Sequence, residues 1–193
     1  LILLCVDLMQ GLAAVVDILY PKDFKTSPWK NGCGITHEVA RDVISADFHW
    51  RISIADVRSD GPFSFFPKMA RILTVIEGAG INLIMSDTVL EARLESPVFF
   101  KGELEVTGQL IGGPIRDLNL IYDPKFIEAK VEVIVGRAIL NVAASMGGFL
   151  CLSGAVTVDS NELPAGAFAL GSCLEVVLLP GATGVMVTLI DLV

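Results

Sequence analysis

A chain of 193 residues with 53% hydrophobic and 19% charged side chains has ample apolar mass for a packed core, and its length suits one large domain or two small ones. Lysine and arginine number 14 against 22 aspartate and glutamate, a net charge of −8, and no basic cluster with interleaved aromatics breaks that balance. A nucleic-acid backbone would be repelled, so DNA and RNA are excluded as partners.

Leu1 to Val16 is the most apolar terminus. It has no basic n-region, carries Asp7, Gln10 and Gly11, and is too short to span a bilayer, so a segment packed on a core is preferred to a membrane anchor. Residues 1–17 are set apart as an apolar segment without an assigned role, and a cytoplasmic protein is expected. The cysteines Cys5, Cys33, Cys151 and Cys173 form no C-x-x-C pair and sit mostly in apolar, strand-like contexts, which predicts buried, reduced thiols.

From Ile18 onward, short apolar runs alternate with turn residues and no long helical pattern appears. Trp29-Lys30-Asn31-Gly32-Cys33-Gly34 is a glycine-punctuated polar turn that feeds a strand over Ile35 to Ala40. Phe48 to Val57 follows with strict alternation: His49, Arg51 and Ser53 on one face, Trp50, Ile52 and Ile54 on the other. Asp60-Gly61-Pro62-Phe63-Ser64 reads as a turn, because Asp-Gly followed by Pro does not continue a ladder. Further strands are predicted over Arg71 to Glu77, Ile81 to Met85, Val89 to Leu94, Pro97 to Phe100, Glu105 to Leu110 and Leu118 to Tyr122.

After Asp123-Pro124 the pattern restarts, with strands over Glu128 to Val135, Ala138 to Ala144, Gly148 to Ser153, Ala155 to Val158, Ala167 to Leu170, Glu175 to Leu179 and Gly184 to Ile190. Short strands at this spacing predict a sandwich or barrel. Glu77-Gly78-Ala79-Gly80 before Ile81 parallels Ser153-Gly154 before Ala155, and Leu94 to Phe100 parallels Leu163 to Leu170, so two similar halves are expected. The first would cover 18–123. The second, 124–193, has few polar residues inside its strands and reads as scaffold, with strand exchange between halves left open. A mean hydropathy of +0.66 leaves apolar surface to hide, which permits a homo-oligomer without requiring one.

These motifs in series resemble the HutD/Ves family of bacterial proteins. The resemblance rests on Trp29 to Glu38, on Trp50-Arg51-Ile52-Ser53-Ile54-Ala55 with Asp60 to Ser64, on Phe66-Pro67 leading to Arg71, on Glu77 to Gly80, on Phe100-Lys101-Gly102 and on Gly113-Pro114-Ile115-Arg116-Asp117-Leu118-Asn119-Leu120. It departs from the family at Cys33, where a third glycine is usual, and at Lys68, where a glycine commonly follows Phe-Pro. The resemblance implies a mostly β fold of two fused cupin-like (RmlC-like jelly-roll) barrels, a link in some members to histidine utilisation, and binding of a small metabolite rather than an established catalytic activity.

For a binding site the residues offer Arg51 and Ser53 on one strand face, suited to a carboxylate because a guanidinium presents paired donors. The alternative is an exposed face with Arg51 paired to a neighbouring acid. Asn31, Thr36 and Glu38 could line the same mouth, or serve as turn chemistry and solvated strand positions. Asp117 and Asn119 share one face of their strand, and an inward Asp117 would need a donor such as Arg51 or Arg71. Arg71 could equally hold Asp60. A metal site is not expected: there are only two histidines, His37 and His49, and His37 and Glu38 point to opposite faces of a regular strand. Cys33 near His37 fixes no thiol-base geometry, so no catalytic residue is assigned. The resulting expectation is a metal-free, cofactor-free binder of a small anionic metabolite, accessory or regulatory, in histidine or other amino-acid catabolism. The alternatives are a cupin-type enzyme acting on a small carboxylate and a structural protein without a pocket.

Overall fold

A computed structural model describes residues 16–42 and 48–192. The described residues form strands joined by turns and one 3-10 turn, Pro21–Asp23, with no α-helix among them. None of their helices is long and apolar enough to cross a membrane. The expectation for Leu1 to Val16 falls, except for Val16, outside the described residues.

Three sheets carry the fold. The six-stranded sheet runs β2 (Lys25–Pro28), β3 (Gly34–Arg41), β4 (Trp50–Val57), β11 (Ile115–Tyr122), β6 (Ala70–Glu77), β9 (Val98–Lys101). Facing it is a four-stranded sheet of β5 (Gly61–Pro62), β10 (Thr107–Leu110), β7 (Gly80–Ile84) and β8 (Val89–Arg93). The seven-stranded sheet orders β12 (Ile127–Val135), β17 (Thr183–Asp191), β13 (Ala138–Ser153), β16 (Phe168–Leu178), β14 (Val156–Val158) and β15 (Asn161–Glu162), with β1 (Asp17–Leu19) also paired to β16.

The alternation of β4, β11 and β6 gives the six-stranded sheet two different faces. Trp50, Ile52 and Ile54 of β4, with Leu118 and Leu120 of β11, pack against Leu150, Phe168, Val185 and Val187 of the seven-stranded sheet, so this core joins the two halves. On the opposite face Leu73, Val75, Val57 and Ile115 meet Ile81, Leu83 and Val106, closing one end of the first barrel with hydrocarbon. A third core, centred on Phe149, Cys151, Val158 and Val176, fills the second half.

Several elements differ from the sequence reading. Gly61 and Pro62 form a two-residue strand against Gly108 and Thr107, because β5 is a sheet edge where proline's missing N–H costs no ladder bond. Ala138 to Ala144 and Gly148 to Ser153 are one strand, β13, with a register shift between Ala143 and Gly147, and β16 likewise runs unbroken through Gly171 and Ser172. Ile18 and Leu19, at the start of the 18–123 half, pair with Ala169 and Phe168 of the second, a strand exchange of the kind the sequence leaves open. Of the three described cysteines only Cys151 is buried: Cys33 is half-buried in its turn and Cys173 is exposed on β16.

Lys68 has a physical reason to be a glycine. Its φ of 65° lies in the left-handed region, in the turn whose flanking residues Phe66 and Met69 are both hydrogen-bonded to Gly102. Relief of the Cβ strain should outweigh glycine's extra unfolded-state entropy, so Lys68→Gly is expected to stabilise the protein by roughly 0.5–1 kcal/mol, measured by urea denaturation.

Candidate functional site

The polar face of the six-stranded sheet is ordered in cross-strand rows. Arg51, Ile121 and Arg71 stand side by side on β4, β11 and β6. The next row is Glu38, Ser53 and Asn119, and the one beyond is Thr36, Ala55 and Asp117. Successive rows are two residues apart, so all of these side chains project the same way. They line one cavity of about 590 Å³, closed on its other sides by the turn around Asn31 and the segment from Pro62 to Phe66. Asn31, Thr36, Glu38, Arg51, Ser53, Arg71, Asp117 and Asn119 are therefore brought together, and the pocketless alternative, which requires Arg51 and Asp117 to face solvent, is corrected: Asp117 is fully buried and Arg51 half-buried.

The two arginines are held by aromatic rings. Arg51 lies 5.1 Å from the ring centres of both Phe48 and Phe66. Arg71 lies 4.8 Å from Phe100, 5.2 Å from Phe63 and 5.5 Å from Phe66, and its Nη1 donates to the Ser64 carbonyl at 3.2 Å. Phe66 thus contacts both guanidinium groups. Each cation-ring contact is worth about 0.5–2 kcal/mol in a desolvated setting and also fixes the direction of the guanidinium plane. Among the described residues neither arginine makes an ion pair within 4.0 Å, and the Nε of each is buried without an acceptor. The alternative Arg71–Asp60 contact is not formed: Asp60 accepts the Leu110 N–H at 2.8 Å and pins its loop to β10.

Asp117 is the unusual group. Both of its oxygens are buried without a hydrogen-bond partner, as is Asn119 Oδ1. Burial pushes the Asp117 pKa up to about 7, with Arg71 pulling it down and Asp56, on the other side of the sheet, adding to the rise. Burial likewise lowers the Arg71 pKa to about 10, against the attraction of Asp117. For Arg51 burial lowers the pKa and Glu38 opposes it. Each group feels the other charge, yet no hydrogen bond joins them, so the donor predicted for Asp117 is near but not bonded.

The remaining sequence candidates sort by parity. Thr36 Oγ1 accepts from Trp29 Nε1 at 2.7 Å, and Asn31 Oδ1 caps the Cys33 N–H at 3.0 Å, so both shape the rim as well as facing the cavity. Glu38 faces inward and lies 3.8 Å from Arg41. His37 is on the opposite face, 3.0 Å from Thr26 Oγ1 and 3.1 Å from Asp56, which also accepts from Arg116 at 2.9 Å. Burial works against the Asp56 carboxylate, but the hydrogen bonds from His37 and Arg116 outweigh it and hold its pKa below the ordinary value. His49 stacks on Phe126 at 4.3 Å, beside a different cleft. A cupin metal centre does not fit this donor set, since among the described residues no three His, Cys, Asp or Glu side chains converge. The Cys33 thiol points to the Asp60 carbonyl at 3.5 Å while His37 turns the other way, so the two form no pair.

Lys25, Ser27, Phe63 and Phe66 also line the cavity; the sequence reading places Phe63 and Phe66 only in turn and family motifs and names none of the four as a site residue. Lys25 and Ser27 pair with Glu38 and Thr36 on β2, a strand hidden because Lys-Thr-Ser-Pro is polar and ends in proline. The aromatics had a legible signal, since Phe63, Phe65 and Phe66 crowd the few residues before Arg71.

The raised pKa of Asp117 has a signed consequence. An unfolded aspartate releases its proton near 3.8 whereas the folded one holds it to about 7, so the folded state binds more protons between those values and stability from this group is lost as pH rises through them. Relative to Asp117→Asn, which does not titrate, the wild type should lose roughly 2–3 kcal/mol of stability between about pH 5 and pH 8. Urea melts of both proteins at the two pH values measure this, and a constant difference would count against a buried, partnerless carboxyl.

A family model described as HutD matches residues 21–187. The 21.2 kDa protein in the hutC 3′ region of Pseudomonas putida is 36% identical over 163 residues, covering 83% of this chain and 86% of its own length. Protein Ves of Cronobacter sakazakii is 33% identical over 146 residues, 73% of this chain and 80% of that protein. Among solved structures, HutD from Pseudomonas fluorescens SBW25 superposes with a TM-score of 0.80 at 30% identity, over 91% of this chain and 99% of that one. A single-residue variant of the oxalate decarboxylase of B. subtilis shares the fold alone, with a TM-score of 0.63 at 10% identity over 94% of this chain and 78% of that one. With the match spanning both β halves, the chain belongs to the HutD/Ves family and has its cupin-like β fold.

Proposed function

We propose that the cavity binds a small anionic metabolite through Arg51 and Arg71, and that the protein acts without a metal as an accessory or regulatory binder in histidine or other amino-acid catabolism. The observation that carries this reading is a pair of guanidinium groups, aimed by aromatic rings into one cavity and without a carboxylate partner among the described residues. A carboxylate supplies both the charge and the paired acceptors that such groups lack. The catabolic setting is supported by relatives named HutD and named for the hutC 3′ region. A second reading, an enzyme of the cupin type acting on a small carboxylate, is favoured by one feature: a cavity carboxyl with its pKa near neutrality is suited to acid-base chemistry.

Arg51→Met keeps length and apolar bulk but removes the donors, and it should weaken carboxylate binding by roughly 2–4 kcal/mol while leaving the thermal midpoint unchanged or slightly raised. Calorimetric titration with a panel of small carboxylates, alongside thermal melts, separates the roles: normal binding with an early melt would make Arg51 a structural residue. Elemental analysis after dialysis should find iron, zinc and manganese well below one equivalent, and a retained equivalent would favour the enzyme.

A further inference from the structure

The cavity has two chemically distinct ends, and a carboxylate satisfies only one. At the first, Arg51 and Arg71 flank Ile121 across β11, each with a buried Nε that has no acceptor. At the second, Asn119 Oδ1 and both Asp117 oxygens are buried with no donor, and Glu38 shares the row of Asn119. A strand advances about 3.4 Å per residue, so the backbones of Asn119 and Asp117 stand roughly 7 and 14 Å further along the cavity wall than the arginine row, while the long Arg71 side chain is still near enough for its guanidinium to feel the Asp117 charge. Unsatisfied buried polar atoms are uncommon, and each costs roughly 1–3 kcal/mol. Among the buried cavity atoms that lack a partner, donors lie at one end and acceptors at the other; Lys25, opposite Glu38 on β2, adds an exposed cation at the rim of the second end. The side-chain amide of Asn119 can be turned to present either its oxygen or its nitrogen, but an ionised carboxylate can only accept, so Asp117 decides the character of the second end.

Building on the carboxylate reading above, we infer that the ligand is bifunctional, with a carboxylate for Arg51 and Arg71 and, a few carbons away, a neutral or cationic N–H donor such as a carboxamide or ammonium for Asp117 and Asn119. A dicarboxylate of the same length is selected against, since its second anion faces acceptors and an acidic side chain. A carboxylate with an apolar tail fills the space but leaves the acceptors unpaired.

Three probes of equal chain length separate these cases: pentanoate, glutarate and glutaramate carry a methyl, a carboxylate and a carboxamide at the same terminal position. In calorimetric titrations at about pH 8, glutaramate should bind about tenfold more tightly than pentanoate and at least about tenfold more tightly than glutarate. Asp117→Asn replaces the acceptor-only group with one that also donates, and should bring glutarate within about threefold of glutaramate. The wild-type ranking needs no variant to fold. Glutarate binding as tightly as glutaramate, or all three binding alike, would overturn the bifunctional ligand and leave the carboxylate site standing. Failure of all three to bind at millimolar concentration would overturn the carboxylate site and this inference with it.

Discussion

A fully buried carboxylate with no hydrogen-bond partner, on the same sheet face as two guanidinium groups that it does not touch, is the constraint on which the rest of this structure depends. Charged groups taken out of water and left unpaired are strongly destabilising, by several kcal/mol per group before relaxation of the surroundings. Something else must hold the sheet in place. The same strands supply it: because β-strand side chains alternate, each inward Arg51, Ser53, Asp117 or Asn119 is followed by an outward Ile52, Ile54, Leu118 or Leu120. Those outward residues are sealed against Leu150, Phe168, Val185 and Val187 of the second half. A fully buried aliphatic side chain contributes about 1.5–3 kcal/mol, so a few such contacts offset a polar cavity on the other side. The second half has little chemistry of its own and serves as the wall that allows the first to keep a polar interior.

The cavity is also pre-shaped. Phe66 contacts both arginines, Phe48 covers one and Phe63 and Phe100 the other, while the Ser64 carbonyl takes one Arg71 donor. The segment that carries Phe63 and Phe66 is itself tied down at both ends, by Asp60 to the Leu110 N–H and by Phe66 N–H to the Gly102 carbonyl. Both long cations are therefore oriented in the folded chain itself, which would reduce the ordering cost of the proposed anion binding. On the reverse of the sheet His37, Asp56 and Arg116 satisfy one another, and the Asp56 charge nevertheless bears on Asp117 through the intervening backbone layer.

Much of this was legible in the sequence because strand parity is a strong signal where the two faces differ. Trp50 to Ile54 and Asp117 to Leu120 alternate polar and apolar, and that places Arg51, Ser53, Asp117 and Asn119 together once the strands pair. The same rule sends His37 away from Glu38. What parity cannot show is which elements meet: the pairing of Ile18 with Ala169 joins residues far apart in the chain, and the two-residue edge strand at Gly61 is too short to carry a periodic pattern. Nor does it reveal whether neighbouring charges bond. Arg71 and Asp60 are plausible partners by type and proximity in sequence, but a backbone N–H from β10 holds the carboxylate instead. In the second half, Ser145 to Gly147 reads as a break between strands because a serine and a glycine interrupt the apolar run, whereas the interruption is a shift of register inside one strand.

The central claim is that Asp117 and the arginines do not neutralise one another and that the cavity keeps open polar valences for a ligand. Site-resolved carbon-13 NMR titration of the Asp117 carboxyl in the ligand-free protein tests it most directly. The structure leads to a midpoint of about 7. A midpoint at or below the ordinary aspartate value of about 4 would show that Asp117 is already paired in the folded protein, and the cavity would then have no unmet demand for a partner from outside.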